Sequence, residues 1–254
     1  MSDDLVKECI AARDEPRPHR PPSETKRLSL TEAYAAQDRL RAALVERGER
    51  VAGWKAGFTN KAGQEAWQVS EPVCAFLLAS GVLSSGADIA AARFVKPGVE
   101  AEIAFVMKQD LAGPGVTAPR ALQAVEGAVP ALELIDFRHS GKAVGTDVVA
   151  DGVYAKAIVL GGALTPVTGL DLALEGLVYE QSGTVVATST AFEVMGNPLN
   201  SLAWIANHLG ARGQSLRAGD VVMTGSVSKI LSAKAGDSVR ATFTRLGSVS
   251  VKFT

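Results

Sequence analysis

The run Pro97-Gly98-Val99-Glu100-Ala101-Glu102-Ile103-Ala104-Phe105-Val106 constrains the fold of this chain more than any other segment. A Pro-Gly break followed by β-branched and aromatic residues predicts a strand. Alternate side chains of a strand share a face, so Glu100 and Glu102 project together, with Cα atoms about 6.5–7 Å apart. Ile103, Phe105 and Met107 read as buried on the other face. Neither face is then plainly polar, and the two acids need either solvent or a partner. Two carboxylates on one face repel each other in the absence of a cation. They suit a hard divalent ion with oxygen ligands, Mg²⁺ or Mn²⁺. A solvated strand edge carrying two surface acids is the competing reading.

A third acid stands in Ala131-Leu132-Glu133-Leu134-Ile135-Asp136. Glu133 lies inside an apolar stretch, where a carboxylate requires a metal, a basic partner such as Arg138, or a proton. Asp136, at the end of the run, competes for the same role. Gly53-Trp54-Lys55-Ala56-Gly57-Phe58-Thr59 sets a lysine between two glycines, a place for a proton shuttle or a fixed charge, or for a surface turn. Met223-Thr224-Gly225-Ser226 closes a strand with amides and hydroxyls suited to a carboxylate or phosphate. His19, His139 and His208 have no paired spacing; His139 is a candidate anion contact, and His208 reads as a solvated or capping residue. No Ser-His-Asp arrangement, phosphate loop or dinucleotide fingerprint is present, and Gly161-Gly162-Ala163 alone does not make one.

The 254 residues carry 26 basic and 27 acidic side chains, a net charge of −1. That balance argues against a nucleic-acid footprint or an anionic-membrane binder. Two distant cysteines, Cys9 and Cys74, form no metal or redox spacing and fit a reducing compartment. The acidic N-terminus has no apolar signal region, and no apolar run is long enough for a membrane span, so a cytoplasmic protein is expected.

Residues 14–28, with four prolines, predict an extended connector. Ser29-Leu30-Thr31-Glu32 is a capping box opening a helix with Ala33, Ala36, Leu40, Ala43 and Leu44 on one stripe and Gly48 as its stop. Strands are predicted at 99–107, 128–135, 154–160 and 221–223 and on both sides of Leu246-Gly247. A hairpin is predicted around Gln181-Ser182-Gly183. One helix interrupts them, with Asn197 as cap, Pro198 first and Gly210 as stop. The expectation is an α+β fold: a helical N-terminal region over residues 1–75 and a β-rich catalytic domain over 76–254.

In order and spacing, five of these segments together resemble the 2-oxopent-4-enoate (2-hydroxypenta-2,4-dienoate) hydratase and 4-oxalocrotonate decarboxylase family of the fumarylacetoacetate hydrolase-like superfamily. They are 53–59, 99–105, 131–136, Thr146-Asp147-Val148-Val149-Ala150-Asp151 and Gly219-Asp220-Val221-Val222-Met223-Thr224-Gly225. The resemblance implies a mixed β-roll, Mg²⁺ or Mn²⁺ held by Glu100, Glu102 and Glu133, and Lys55 as the active-site lysine. It places Thr224 and Gly225, beside Ser226, near the substrate carboxylate. It also implies a small 2-oxo acid substrate in aromatic-compound meta-cleavage degradation, and homo-oligomers that associate in some cases with a paralogous pathway enzyme. Hydration of a 2-hydroxydienoate is the leading activity. Decarboxylation of a dicarboxylate is the alternative, with Arg138, His139 and Lys142 as candidate contacts for the second carboxylate. An acylpyruvate-type C–C hydrolase and a non-catalytic partner subunit are further alternatives. Two segments depart from the family pattern. Asp151-Gly152-Val153-Tyr154 replaces an Asp-Asn-Ala-Ser type sequence, and Val73-Cys74 stands where an acid often follows the proline matching Pro72.

Overall fold

The computed structural model describes residues 3–254. The N-terminal part supplies helices α1 (Asp3–Asp14) and α2 (Leu30–Glu46), strand β1 (Val51–Gly57), a short helix α3 (Lys61–Ala66) and strand β2 (Val73–Leu78). Next come β3 (Val82–Ser84), β4 (Ala87–Ile89), β5 (Pro97–Met107), α4 (Ala118–Gln123), β6 (Val125–Asp136), α5 (Gly145–Ala150) and β7 (Ala155–Leu160). The remainder is β8 (Gly176–Gln181), β9 (Thr184–Thr190), α6 (Pro198–Gly210), β10 (Val221–Ser226), β11 (Leu231–Ser232), β12 (Ser238–Phe243) and β13 (Gly247–Phe253).

The strands form two sheets, and the α+β expectation holds. The larger runs β2-β1-β10-β5-β6-β7-β3, with β11 added to β5; the smaller runs β4-β13-β12-β8-β9. The larger sheet is mixed, because β1 pairs parallel with β10 while β5 and β6 pair antiparallel. The expected boundary at residue 75 lies inside β2, and β1, expected in the helical N-terminal region, is a strand of this sheet. The close approach of β1 to β10 explains one glycine: a Cβ on Gly53 would sit 1.8 Å from the carbonyl oxygen of Val221.

The larger sheet curls. Leu77 of β2 and Ile158 of β7, near opposite ends of the strand order, pack in one apolar cluster with Ala104, Val129, Ala131 and Met223. Ala101, Ile103, Phe105, Leu132 and Leu134 belong to a different cluster, shared with Val239, Ala241, Val249 and Val251 of the smaller sheet. The two faces of β5 therefore meet two separate interiors. This is why the strand carries apolar residues on both sides of its acids. Tyr179 ties the layers together by donating its hydroxyl to the Val99 carbonyl at 3.0 Å.

Helix α2 begins as its sequence predicts: Ser29 Oγ accepts from the Glu32 amide at 3.2 Å, and Glu32 accepts from the Ser29 amide at 2.8 Å. Its buried stripe also contains Gln37, whose amide donates to the carbonyls of Cys74 (3.1 Å) and Val149 (2.8 Å) and so pins the helix to β2 and α5. Asn197 caps α6 through a 2.9 Å bond from the Leu199 amide. Helix α1 is an addition to the sequence reading. Its Arg13 reaches across to Asp151, 138 residues away, with contacts of 2.7 Å to the carboxylate and 2.6 Å to the carbonyl.

Candidate active site

Strand alternation and register bring the acids together. Glu100 of β5 stands directly opposite Glu133 of β6, and Glu102 opposite Ala131, all on the face inside the curl. One carboxylate oxygen from each of Glu100, Glu102 and Glu133 lies within 4.8 Å of the others. Lys55 belongs to β1, three places along the sheet from β6. On a flat sheet three spacings amount to roughly 14 Å, yet Lys55 Nζ sits 2.6 Å from Glu133 Oε2. The curl of the sheet makes that contact, which no local sequence signal announces. The basic partner of Glu133 is thus Lys55, not Arg138.

The cluster is dry. Lys55, Glu102 and Glu133 are buried, and Glu100 keeps one edge on an adjoining cavity. Burial, with Glu133 as a like-charged neighbour, pushes the Glu100 carboxyl up to about 7 against the pull of Lys55. Burial drives Glu102 well above the usual carboxylate range, and Glu133 and Glu100 add to it; the Gly225 amide, 2.8 Å from Glu102 Oε2, pulls the other way. Glu133 is raised by burial even with Lys55 against it. For Lys55, burial favours the neutral amine, but Glu133, Glu100 and Glu102 outweigh it and hold the ammonium. Ionised, as metal ligation requires, three carboxylates around one ammonium would leave two uncompensated negative charges. Glu133 Oε1 is buried with no amine, amide or hydroxyl donor matched to it. An all-oxygen donor set, an orphaned buried oxygen and a charge deficit of this sign fit a divalent hard cation.

Asp136 stands apart from the acid cluster. Three residues beyond Glu133 on a strand, it points to the opposite face. There it accepts from the amides of Val95 (2.8 Å) and Lys96 (3.0 Å), with Arg138 4.0 Å away. Thr224 is buried and donates its hydroxyl to the Ile103 carbonyl at 2.7 Å, while the Gly225 amide is taken by Glu102. Of the three loop residues, Ser226 lines the cavity, its hydroxyl donating to the Ser228 carbonyl at 2.6 Å. Gly225 has φ +116°, and a Cβ there would meet Thr59 at 2.6 Å, so the loop closes on the lysine strand only with glycine at this place.

The cavity beside the cluster has a volume of about 240 Å³ and also takes in Lys55, Glu100, Phe58, Trp67, Phe137, Val153 and Tyr154. The segment 152–154 shapes it with three successive left-handed residues, Gly152, Val153 and Tyr154 (φ 70°, 51° and 58°). Positive φ at a β-branched or bulky residue is costly. The turn directs the Val153 carbonyl to within 3.4 Å of Lys55 Nζ. The strain is held from outside by Asp151, which Arg138 (2.8 Å) and Arg13 (2.7 Å) both grip. Burial alone would raise Asp151, but Arg138 and Arg13 hold it well below the usual carboxylate range.

None of the three groups named for a second substrate carboxylate lines this cavity. Arg138 is fully buried and spent on Asp151, Lys142 is exposed elsewhere, and His139 Nδ1 lies 2.6 Å from the Tyr154 hydroxyl. Burial keeps the His139 ring neutral by lowering its pKa to about 4. His208, in the last turn of α6, is half-buried and stacks on Trp204 with centroids 4.9 Å apart. Sequence reasoning missed Trp67, Phe137 and Arg13, and singled out Val153 and Tyr154 only as a departure from the family pattern, not as a left-handed turn. Only Gly152, a usual left-handed residue, marked the turn.

Residues 47–254 match the model described as fumarylacetoacetate (FAA) hydrolase C-terminal. A 4-oxalocrotonate decarboxylase of Pseudomonas putida is 32% identical over 236 residues, covering 92% of this chain and 89% of the relative. A 2-hydroxyhexa-2,4-dienoate hydratase of Comamonas testosteroni is 37% identical over 210 residues, covering 82% and 80%. The solved structure of the 4-oxalocrotonate decarboxylase from Pseudomonas putida G7, complexed with magnesium and adipate, superposes with a TM-score of 0.95 at 29% identity, over 99% of this chain and 96% of that one.

Proposed function

The chain belongs to the fumarylacetoacetate hydrolase family, and on that premise we propose that it is a divalent-metal-dependent hydratase of small 2-hydroxy-2,4-dienoate (2-oxo) acids. The observation that carries the proposal is the meeting of Glu100, Glu102 and Glu133 with Lys55 in one dry pocket that opens on a cavity. The three glutamates would hold Mg²⁺ or Mn²⁺, with the Gly225 amide fixing the orientation of Glu102. The bound ion supplies Lewis acidity where negative charge develops at the 2-oxo oxygen.

The protein's own groups account for the rest. Lys55 Nζ is held protonated by its acidic neighbours and steadied by the Val153 carbonyl, so it has a proton to give beside the substrate. Ser226 is the loop residue that borders the cavity, its hydroxyl proton given to the Ser228 carbonyl, while Thr224 and Gly225 position the strand end behind it. The apolar wall keeps bulk water from the site, so that one water is added across the terminal double bond, hydrogen to one carbon and hydroxyl to the other.

Decarboxylation is a second reading, favoured by the fold likeness to the Pseudomonas putida G7 enzyme. The withdrawal of Arg138, His139 and Lys142 from the cavity favours hydration. We further assign the protein to the cytoplasm; among the described residues no helix is long and apolar enough to cross a membrane. We also assign it a homo-oligomeric state, supported by Leu174 and Phe192, apolar residues 67% and 64% exposed. The deciding experiment is an ultraviolet assay with Mg²⁺ or Mn²⁺ on 2-hydroxypenta-2,4-dienoate and 2-oxohex-3-enedioate side by side. Hydration predicts loss of the dienoate chromophore without release of CO₂. Turnover of the dicarboxylate alone, with CO₂ released, would establish the second reading instead.

A further inference from the structure

The cavity that Lys55 and Glu100 border is also lined by aromatic rings in series. Phe58 stacks on Trp67 at a centroid distance of 5.6 Å, Trp67 meets Tyr154 edge-on at 6.3 Å, and Tyr154 meets Phe137 at 5.4 Å. Val153 and Ile230 fill the gaps. The one polar tip in the series, the Tyr154 hydroxyl, is engaged by His139 at 2.6 Å. Among the described residues, two cations line the cavity, Lys55 and Lys229. Lys55 is committed to the acid cluster, and Lys229 is exposed. An apolar cavity of about 150 Å³ accommodates benzene, and this one measures about 240 Å³ for head and tail together.

We infer that the far end of the site takes an uncharged, bulky apolar group, an alkyl chain or an aryl ring, and that the preferred substrates are 2-oxo or 2-hydroxydienoate acids bearing such a tail. The inference rests on the reading of the acid cluster as the place where the oxo-acid head binds. The ring series offers a carboxylate nothing to replace its hydration, and burying a charge without a partner is strongly unfavourable; the polar residues of the lining, Asn60, Ser226, Ser228 and Lys229, also border a neighbouring open cavity and mark the other side of the site. The rings offer an apolar tail four surfaces, with burial worth about fourfold in affinity per methylene.

The test is calorimetric titration of Mg²⁺-loaded protein with unreactive 2-oxo acids: pyruvate, 2-oxohexanoate, 2-oxoadipate and 4-phenyl-2-oxobutanoate. The expected order has 2-oxohexanoate at least tenfold tighter than 2-oxoadipate, a pair equal in chain length and different only at the far end. The phenyl acid binds tighter than pyruvate by tenfold or more, and that ratio falls severalfold in Trp67→Ala. Equal or tighter binding of 2-oxoadipate overturns the inference, and loss of that binding in Lys229→Met would name the anchor. A ratio unchanged in Trp67→Ala also overturns it. Failure of every acid, pyruvate included, to bind while Mg²⁺ itself binds is a different result: it refutes the reading of the acid cluster, and the tail inference falls with it.

Discussion

Replacing Glu100 by glutamine separates the cost of the acid cluster from its use. In the unfolded chain a glutamate loses its proton near pH 4.5; in the folded metal-free protein Glu100 keeps it to about 7, because burial and Glu133 oppose its charge. The folded state therefore binds more protons across that window, and stability falls as pH rises through it. A span of about 2.5 units corresponds to roughly 3 kcal/mol, and to about 2 kcal/mol once solvent screening at the cavity-facing edge is allowed for. Glutamine has the shape of the protonated acid and loses nothing as pH rises. In excess EDTA the two proteins should melt together at pH 4, and Glu100→Gln should melt about 4–8 °C higher at pH 8, at 2–4 °C per kcal/mol for a domain of this size. Comparing the pair cancels the pH dependence of groups that do not sense Glu100; Glu133, Glu102 and Lys55, which do, share in the difference. With Mg²⁺ the order should invert. A thousandfold excess over the dissociation constant stabilises the wild type by about 4 kcal/mol, and a hundredfold weaker site keeps only about 1.4 kcal/mol of that. Differential scanning calorimetry at both pH values, with and without metal, reads all four quantities. A metal-free variant no more stable than wild type at pH 8, or an equal Mg²⁺ shift in both proteins, would refute the reasoning.

Lys55→Met should lower kcat by about 10²–10⁴-fold with the fold retained by circular dichroism; a rise in KM alone would make Lys55 an anchor for the substrate carboxylate instead. Activity should vanish with chelator and return with Mg²⁺ or Mn²⁺, so full turnover in excess EDTA contradicts the metal assignment. Gly53→Ala forces a Cβ against the Val221 carbonyl between two paired backbones. A loss of about 3–5 kcal/mol is expected, seen in urea unfolding or as failure to fold.

The parts of this fold legible in the sequence are those governed by neighbours along the chain. The Ser29–Glu32 capping box, the Asn197-Pro198 helix start, the hairpin at Gln181–Gly183 and the alternation that pairs Glu100 with Glu102 each need only a few consecutive residues. The members of the cluster came from the family resemblance; the residues alone left a surface reading open for Glu100 and Glu102, and an ion pair or Asp136 as rivals for Glu133. What stayed hidden depends on curvature. Nothing near Lys55 says that β1 bends round to within reach of β6, and the lysine looked as much like a turn residue as a buried one. Val153 and Tyr154 hid for the opposite reason. Their local preference is for extended backbone, and tertiary grips by Arg13 and Arg138 override it. Helix α1 packs through Val6, Cys9 and Ala12, a stripe the sequence reading passed over, yet it supplies one of those grips.

The strand order of the larger sheet has a consequence for synthesis. Lys55 lies on β1 and the three glutamates on β5 and β6, but β10 is seated between β1 and β5. A ribosome delivers the lysine strand early and the acids by residue 133, then must translate through Val221–Ser226 before the strand that joins them exists. At about 5–20 residues per second, that interval lasts several seconds. During it the nascent chain carries three acids written for a dry interior and no interior to put them in. Water must solvate them meanwhile, and the late arrival of β10 closes the sheet and dries the site in one event. Chains stalled before residue 221 should therefore present β1 and β5 as open edges, the form in which unfinished sheets pair with the wrong partner.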